Sequence, residues 1–150
     1  MCGIIGYWGD GKAIAIVLEG IRKLEYRGYD SWGVAWLNKE KNLHHIKRVG
    51  KISSATVADH NKYSTLAIGH TRWATHGKVT EENAHPHFST NGRIAVVHNG
   101  IVENYQELKK FLIKRGLKFK SETDTEVIPN LMQLFIDEGC GIKEAFRKTL

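Results

Sequence analysis

Apolar residues recur along the chain at two spacings, and the elements change where the spacing changes. Residues 3–8, Gly-Ile-Ile-Gly-Tyr-Trp, form a short apolar run that predicts a buried strand. Ala13, Ile14, Val17, Leu18, Ile21 and Leu24 fall three and four apart and predict an amphipathic helix over 13–24, broken by Arg27-Gly28-Tyr29-Asp30-Ser31. Strands are expected over 33–37, over 44–49 across a polar turn, and over 65–70, the last running straight into Thr71-Arg72-Trp73. From Ala74 to Arg93 periodicity is lost and Gly, Pro, His, Asn and Thr collect, which predicts a long functional loop. A strand over 94–98 ends in Asn99-Gly100, and a helix over 102–115 carries Tyr105, Leu108, Phe111 and Leu112, with Gly116 as its stop. Thr123-Asp124-Thr125-Glu126 has the form of a capping box before Val127, Ile128, Leu131, Leu134 and Phe135, although Pro129 demands a kink or a shifted start. A last short helix is expected from about Ile142. The pattern describes one mixed α/β domain without repeats or linkers. It stops in a helix with no strand after it, as a domain cut short would.

Composition alters this picture little. With 150 residues, 41% hydrophobic and 25% charged, the chain is long enough to bury one core. No apolar run approaches the ~20 residues of a membrane span, and no leader-like segment stands at the front, so a cytoplasmic setting is the default expectation. Two cysteines, Cys2 and Cys140, suggest no disulfide framework, and Cys140, between Gly139 and Gly141, joins no motif and reads as structural or exposed. The net charge of +6 favours anionic partners, but its densest run, Lys109 to Lys120, reads as the solvated side of a helix rather than a nucleic-acid surface. Among the 8 histidines the closest pairs are His44-His45 and His85-x-His87, and no cysteine or carboxylate set completes a zinc-like site, so no metal is expected. No Gly-Lys-Ser/Thr follows a strand, which leaves no phosphate loop.

Cys2 is the first candidate for chemistry. Removal of Met1 would leave a thiol and a free α-amine on one residue. An α-amine has a reference pKa of ~7.7–8.0, so near neutrality it can take the thiol proton and serve as base to its own nucleophile. Position alone does not decide against a buried, inert cysteine. Asn99-Gly100 after a strand, taken alone, reads first as a β-turn. Arg72, directly after a buried-looking strand, offers the two-pronged donor that a carboxylate needs, and Asp124 stands where a helix N-terminus also favours a carboxylate.

Six blocks occur in order: Cys2-Gly3-Ile4-Ile5-Gly6, Leu24-Glu25-Tyr26-Arg27-Gly28-Tyr29-Asp30-Ser31, the run from Gly69-His70-Thr71-Arg72-Trp73 to Gly77, Asn83-Ala84-His85-Pro86-His87, Val97-His98-Asn99-Gly100 to Asn104, and Ser121-Glu122-Thr123-Asp124-Thr125-Glu126. Together they resemble the glutaminase domains of the glutamine–fructose-6-phosphate aminotransferases (glucosamine-6-phosphate synthases), class-II glutamine amidotransferases, over nearly the whole chain. The Tyr-Arg-Gly-Tyr-Asp and Thr-Arg-Trp-Ala-Thr-His-Gly runs set it apart from the phosphoribosylamine-forming amidotransferases and from asparagine synthetases. The resemblance implies an α+β fold, the four-layer αββα sandwich of N-terminal-nucleophile hydrolases, truncated at its C-terminal end. Residues 1–150 would be the N-terminal portion of the glutaminase domain, with the sugar-phosphate isomerase domains absent.

The resemblance also implies roles. Cys2 attacks the side-chain amide of L-glutamine, and Asn99 and Gly100 hold the oxyanion. Arg72, Thr75 and His76 take the carboxylate end, Asp124 the α-ammonium, His85 shapes the site, and Trp73 gates a loop that closes over glutamine. It requires no cofactor, and it implies a homodimer in the full-length enzyme, where the ammonia would reach fructose 6-phosphate in the absent domains. Trp32 departs from the small residue usual after Asp-Ser. The competing readings are another amidotransferase, a silent glutamine-binding module in which Met1 still blocks Cys2, and a basic nucleic-acid-binding domain.

Overall fold

A computed structural model of the chain describes residues 2–9, 11–55, 63–74 and 77–150. They gather into two compact units: the chain through Pro86 together with Val97–Asn99, and His87–Val96 together with Gly100–Leu150.

The first unit is a sheet with a helix on one face. Strands β1 (Gly3–Trp8), β2 (Ser31–Leu37), β3 (Leu43–Val49) and β4 (Leu66–Arg72) lie in the order β1-β4-β2-β3, every neighbouring pair antiparallel. Helix α1 (Ala13–Lys23) buries Ala13, Ile14, Val17, Leu18 and Ile21, the stripe that the spacing predicts, against Trp32, Val34 and Trp36 of β2. Each large side chain removed from water in this way contributes roughly 1.5–3 kcal/mol. Gly69 lets the helix approach, since a Cβ there would lie 2.5 Å from Val17 Cγ1. Trp32 is accommodated rather than crowded: it is fully buried and its indole N–H donates to the Lys51 carbonyl at 3.1 Å. The start of α1 has no cap from its own N-cap residue, and Ser64 supplies one from a distance, its carbonyl accepting from Ala13 N at 3.0 Å and its hydroxyl from Ile14 N at 2.8 Å.

Two boundaries differ from the sequence expectation by two residues. β2 begins at Ser31 and β4 runs on to Arg72, because the pairs Ser31↔Arg72 and Gly3↔Thr71 continue the ladders past the last apolar residue. Central strands have partners on both sides, so backbone pairing outlasts the hydrophobic pattern.

In the second unit β5 (His87–Phe88) and β6 (Ala95–Val96) form a two-stranded ladder beside helices α2 (Tyr105–Lys114), α3 (Val127–Asp137) and α4 (Ile142–Thr149). The loop expected over 74–93 therefore contains a short strand, and the strand expected over 94–98 shrinks to its two paired residues. Pro86, before β5, has no N–H with which to lengthen the ladder. α2 starts later than its pattern, and Val102 before it donates its N–H to Asp124 Oδ2 at 2.7 Å. Leu112, Leu117, Val127 and Leu134 form this unit's core.

The capping box is a correction. Helix α3 has Glu126, not Thr123, at its N-cap, and the Glu126 side chain makes no cap bond. The buried Glu126 carboxylate reaches instead to Lys120 N (2.9 Å), Ser121 N (2.7 Å) and Ser121 Oγ (2.6 Å). The later start resolves Pro129, which falls in the first turn where its missing N–H leaves no hydrogen bond unmade. None of the helices among the described residues is long and apolar enough to cross a membrane.

Candidate active site

Antiparallel pairing of β1 with β4 sets Gly3 opposite Thr71, so the residue before β1 meets the residue after β4. That register places Cys2 against Trp73. The Trp73 N–H donates to Cys2 Sγ at 3.3 Å, and the thiol lies 3.7 Å from the Trp73 carbonyl oxygen. The exposed side chain of Asn99 arrives from the other side, its Nδ2 donating to the Cys2 carbonyl at 3.2 Å. One N–H of that amide remains for another acceptor. The Asn99 Oδ1 faces His70 Nε2 at 2.9 Å, and the His70 ring stacks on that of His85, with centroids 4.1 Å apart and planes 15° from parallel.

His70 is almost wholly buried in β4. Burial pushes its pKa down from 6.5 to about 4, outweighing the hydrogen bond to Asn99, which pulls it up. The ring is therefore neutral near pH 7. Because the folded value lies below the unfolded one, the unfolded chain binds the extra proton between them. Stability from this group is complete above about pH 6.5 and is lost as the pH falls toward 4. The expected loss is about 3 kcal/mol over that window. Urea titrations of the wild type and His70→Gln at pH 4, 5, 6 and 7 measure it as the pH dependence that the variant lacks. Equal slopes would show that His70 keeps an ordinary pKa.

Arg72 closes β4 and is buried at 5% exposure, with Nη1 donating to the Lys78 carbonyl at 3.2 Å. The same carbonyl accepts from Asn83 Nδ2 at 2.9 Å, so the Asn83-Ala84-His85 block anchors the segment that follows the arginine. The Gly28–Ser31 block buttresses the other side. A Cβ on Gly28 would lie 2.9 Å from the Arg72 carbonyl carbon and 3.0 Å from Trp73 N. Asp30 N donates to the Arg72 carbonyl at 3.1 Å, and its carboxylate accepts from Ala74 N and, at 2.8 Å, from Ser31 Oγ. The half-exposed Trp73 meets Tyr29 edge to face, with centroids 5.2 Å apart. Thr75 and His76 lie outside the described residues.

Gly100 and Asp124 belong to the second unit. Gly100 has φ 154°, a conformation that residues with side chains rarely adopt. Asp124 accepts from Val102 N at 2.7 Å, and its loop is held by the Glu126–Ser121 bonds and by Thr123 Oγ1, 3.0 Å from His87 Nε2. Among the described residues no three His, Cys, Asp or Glu side chains gather at metal-binding distance. His44 instead stacks on Trp36, 5.7 Å between centroids, and Cys140 Sγ lies 3.3 Å from Lys148 Nζ.

The structure thus brings Cys2, Trp73, Asn99 and, through His70, His85 together. Sequence reasoning missed His70, Asp30 and Glu126 as supports. His70 carried one signal, a histidine inside an apolar strand directly before Thr71-Arg72.

The family described as "Glutamine amidotransferase domain" matches residues 54–146. Glutamine–fructose-6-phosphate aminotransferases (isomerizing) from Caldanaerobacter subterraneus subsp. tengcongensis, Listeria monocytogenes and Bacillus subtilis are 51%, 52% and 49% identical over 100% of this chain. The chain spans 24–25% of the length of those relatives. Among solved structures, the glutamine phosphoribosylpyrophosphate amidotransferase of B. subtilis complexed with ADP and GMP superposes with TM-score 0.80 at 27% identity, covering 99% of this chain and 32% of that one. A structure described as the allosteric regulatory enzyme of purine biosynthesis gives 0.82, with the same identity and coverage. The fold is therefore the α+β fold of the N-terminal-nucleophile amidotransferases.

Proposed function

The chain belongs to the glutamine amidotransferase domain family, and from that membership we propose that it hydrolyses L-glutamine to glutamate and ammonia through Cys2. The observation that carries this reading is the convergence of the Trp73 N–H on Cys2 Sγ at 3.3 Å with the Asn99 amide on the Cys2 carbonyl at 3.2 Å. It leaves an amide donor at the backbone of Cys2, a residue that is only partly buried.

With Met1 removed, the Cys2 α-amine accepts the thiol proton, directly or through a water. The thiolate attacks the side-chain amide carbon of glutamine, and the carbonyl electrons move onto oxygen. Asn99 Nδ2 and Gly100 N hold that oxyanion, a role in which one donor is typically worth ~3–4 kcal/mol of transition-state stabilisation. The protonated amine gives its proton to the amide nitrogen, ammonia leaves and a γ-glutamyl thioester remains. The amine then takes a proton from water, hydroxide adds to the thioester, and glutamate departs as the thiolate is regenerated. Arg72, with Thr75 and His76, takes the α-carboxylate, Asp124 the α-ammonium, His85 shapes the pocket and Trp73 covers it. These assignments rest on the resemblance.

The relatives at 49–52% identity support an aminosugar acceptor in the longer protein: ammonia passes to fructose 6-phosphate in domains outside residues 1–150. A cytoplasmic homodimer that needs no nucleic acid rests on the resemblance alone. The phosphoribosylpyrophosphate enzymes, at 27%, fit as a related family.

Intact mass after incubation with 6-diazo-5-oxo-norleucine, a glutamine analogue that alkylates N-terminal nucleophiles, tests the chemistry. The expected product lacks Met1 and carries one adduct, mapped by peptide sequencing to Cys2. A trimmed chain that takes up no adduct overturns the reading.

A further inference from the structure

We propose that His70 is a positioning residue for the oxyanion-holding amide of Asn99: its Nε2–H donates to Asn99 Oδ1 and so turns the Asn99 NH2 toward Cys2. The inference rests on the glutamine-hydrolysing function proposed above and adds to it a residue that none of the assigned roles includes.

An asparagine amide can flip by half a turn at little steric cost, which exchanges its two donors for an acceptor. At an oxyanion site the flipped form repels the charge it should hold. Two contacts fix the orientation here. Nδ2 lies 3.2 Å from the Cys2 carbonyl, which can only accept, so the other amide atom facing His70 at 2.9 Å is Oδ1. An oxygen there requires a proton on His70 Nε2, and this selects one imidazole tautomer.

The histidine is itself held. It sits in β4, flanked by β1 and β2, its ring is stacked on His85, and it is opposite Gly33, beside which the His85 carbonyl lies too close for any side chain. Burial keeps the ring neutral at working pH, with a pKa near 4, so the donor is not exchanged for a charge that would disturb Arg72 nearby. A neutral, stacked and buried donor gives the amide a single orientation without the reorganisation that water would need.

The test combines two measurements on the full chain. In protein carrying 15N-labelled histidine, the His70 resonance, assigned by its disappearance in His70→Gln, is expected to report a neutral ring protonated at Nε2 at pH 7. A ring protonated at Nδ1, or an imidazolium, overturns the proposal. In the kinetics, His70→Leu, which keeps bulk but loses the donor, is expected to lower kcat for glutamine hydrolysis about 10- to 100-fold, with KM changed by no more than about twofold. His70→Gln, whose amide N–H reaches the same place, is expected to recover most of that loss. In an Asn99→Ala background His70→Leu should add nothing, because its effect runs through Asn99. An equal loss in that background assigns His70 a purely structural role and overturns the inference. If the wild type hydrolyses glutamine and His70→Leu is unchanged, this inference alone fails. If the wild type is inactive and Cys2 takes no adduct, the function it rests on fails with it.

Discussion

Cys2→Ala is expected to reduce glutamine hydrolysis by about a millionfold, the scale seen when a covalent nucleophile is removed, while glutamine still binds. The two halves of this expectation come from different atoms. The sulfur would form the thioester, and alanine has nothing to replace it. The contacts that organise the site around Cys2 are mostly backbone contacts. Asn99 donates to the Cys2 carbonyl and Gly3 N donates to Thr71 Oγ1 at 3.1 Å, and both survive the substitution. What is lost is the pair of Sγ contacts with Trp73, to its N at 3.3 Å and its carbonyl at 3.7 Å, at a partly exposed position where one hydrogen bond is worth about 1 kcal/mol. Calorimetric titration with glutamine, read beside a melting curve, checks both halves. Retained activity would show that another group attacks. Lost binding with intact folding would make Cys2 an anchor of the site.

Gly33→Ala carries the largest expected cost to folding. Its Cβ would fall 2.2 Å from the His85 carbonyl oxygen and 2.8 Å from that of Ile46. Both obstacles are backbone, so no rotamer change relieves them. β2 is central in its sheet and buried on both faces, which leaves no direction in which the strand can yield. Overpacking of a rigid interior costs roughly 1–3 kcal/mol, and a methyl driven onto two carbonyls belongs at or above the top of that range, about 3 kcal/mol or more. Denaturant unfolding followed by tryptophan fluorescence measures it. A second consequence follows from geometry. Moving the His85 backbone disturbs the ring stacked on His70, so any Gly33→Ala protein that does fold is expected to hydrolyse glutamine more slowly. A variant within 1 kcal/mol of the wild type would mean that the segment carrying His85 can move away from β2 freely.

Much of the fold was legible because burial writes itself into spacing. The stripe Ala13, Ile14, Val17, Leu18, Ile21 can be satisfied only by one buried helical face, and that is the face α1 buries. The strand over 3–8 coincides with β1. Errors fell where backbone or polar partners from elsewhere in the chain took over. Thr123 to Glu126 have the local form of a cap, yet Glu126 satisfies the amides of Lys120 and Ser121, a choice that depends on a loop folding back. α1 begins without a local cap because Ser64, distant in sequence, provides it.

The same division runs through the candidate site. The order of six motif blocks was enough to point to the family that matches residues 54–146, whereas Cys2, Asn99-Gly100 and Arg72 taken singly left structural readings open. Which groups touch is a matter of register. Cys2 meets Trp73 because β1 pairs with β4 antiparallel and Gly3 faces Thr71, and a shift of one residue would turn every side chain of the strand to the opposite face. Likewise the pattern marks His70 only as a polar residue in a strand. Its neutral charge comes from burial, its proton from the amide it faces and its plane from the ring of His85, and all three exist only once the strands have paired. Spacing and residue type are local properties, which a chain carries before it folds. Orientation, protonation and contact are set by atoms far away in sequence, and those the tertiary structure alone supplies.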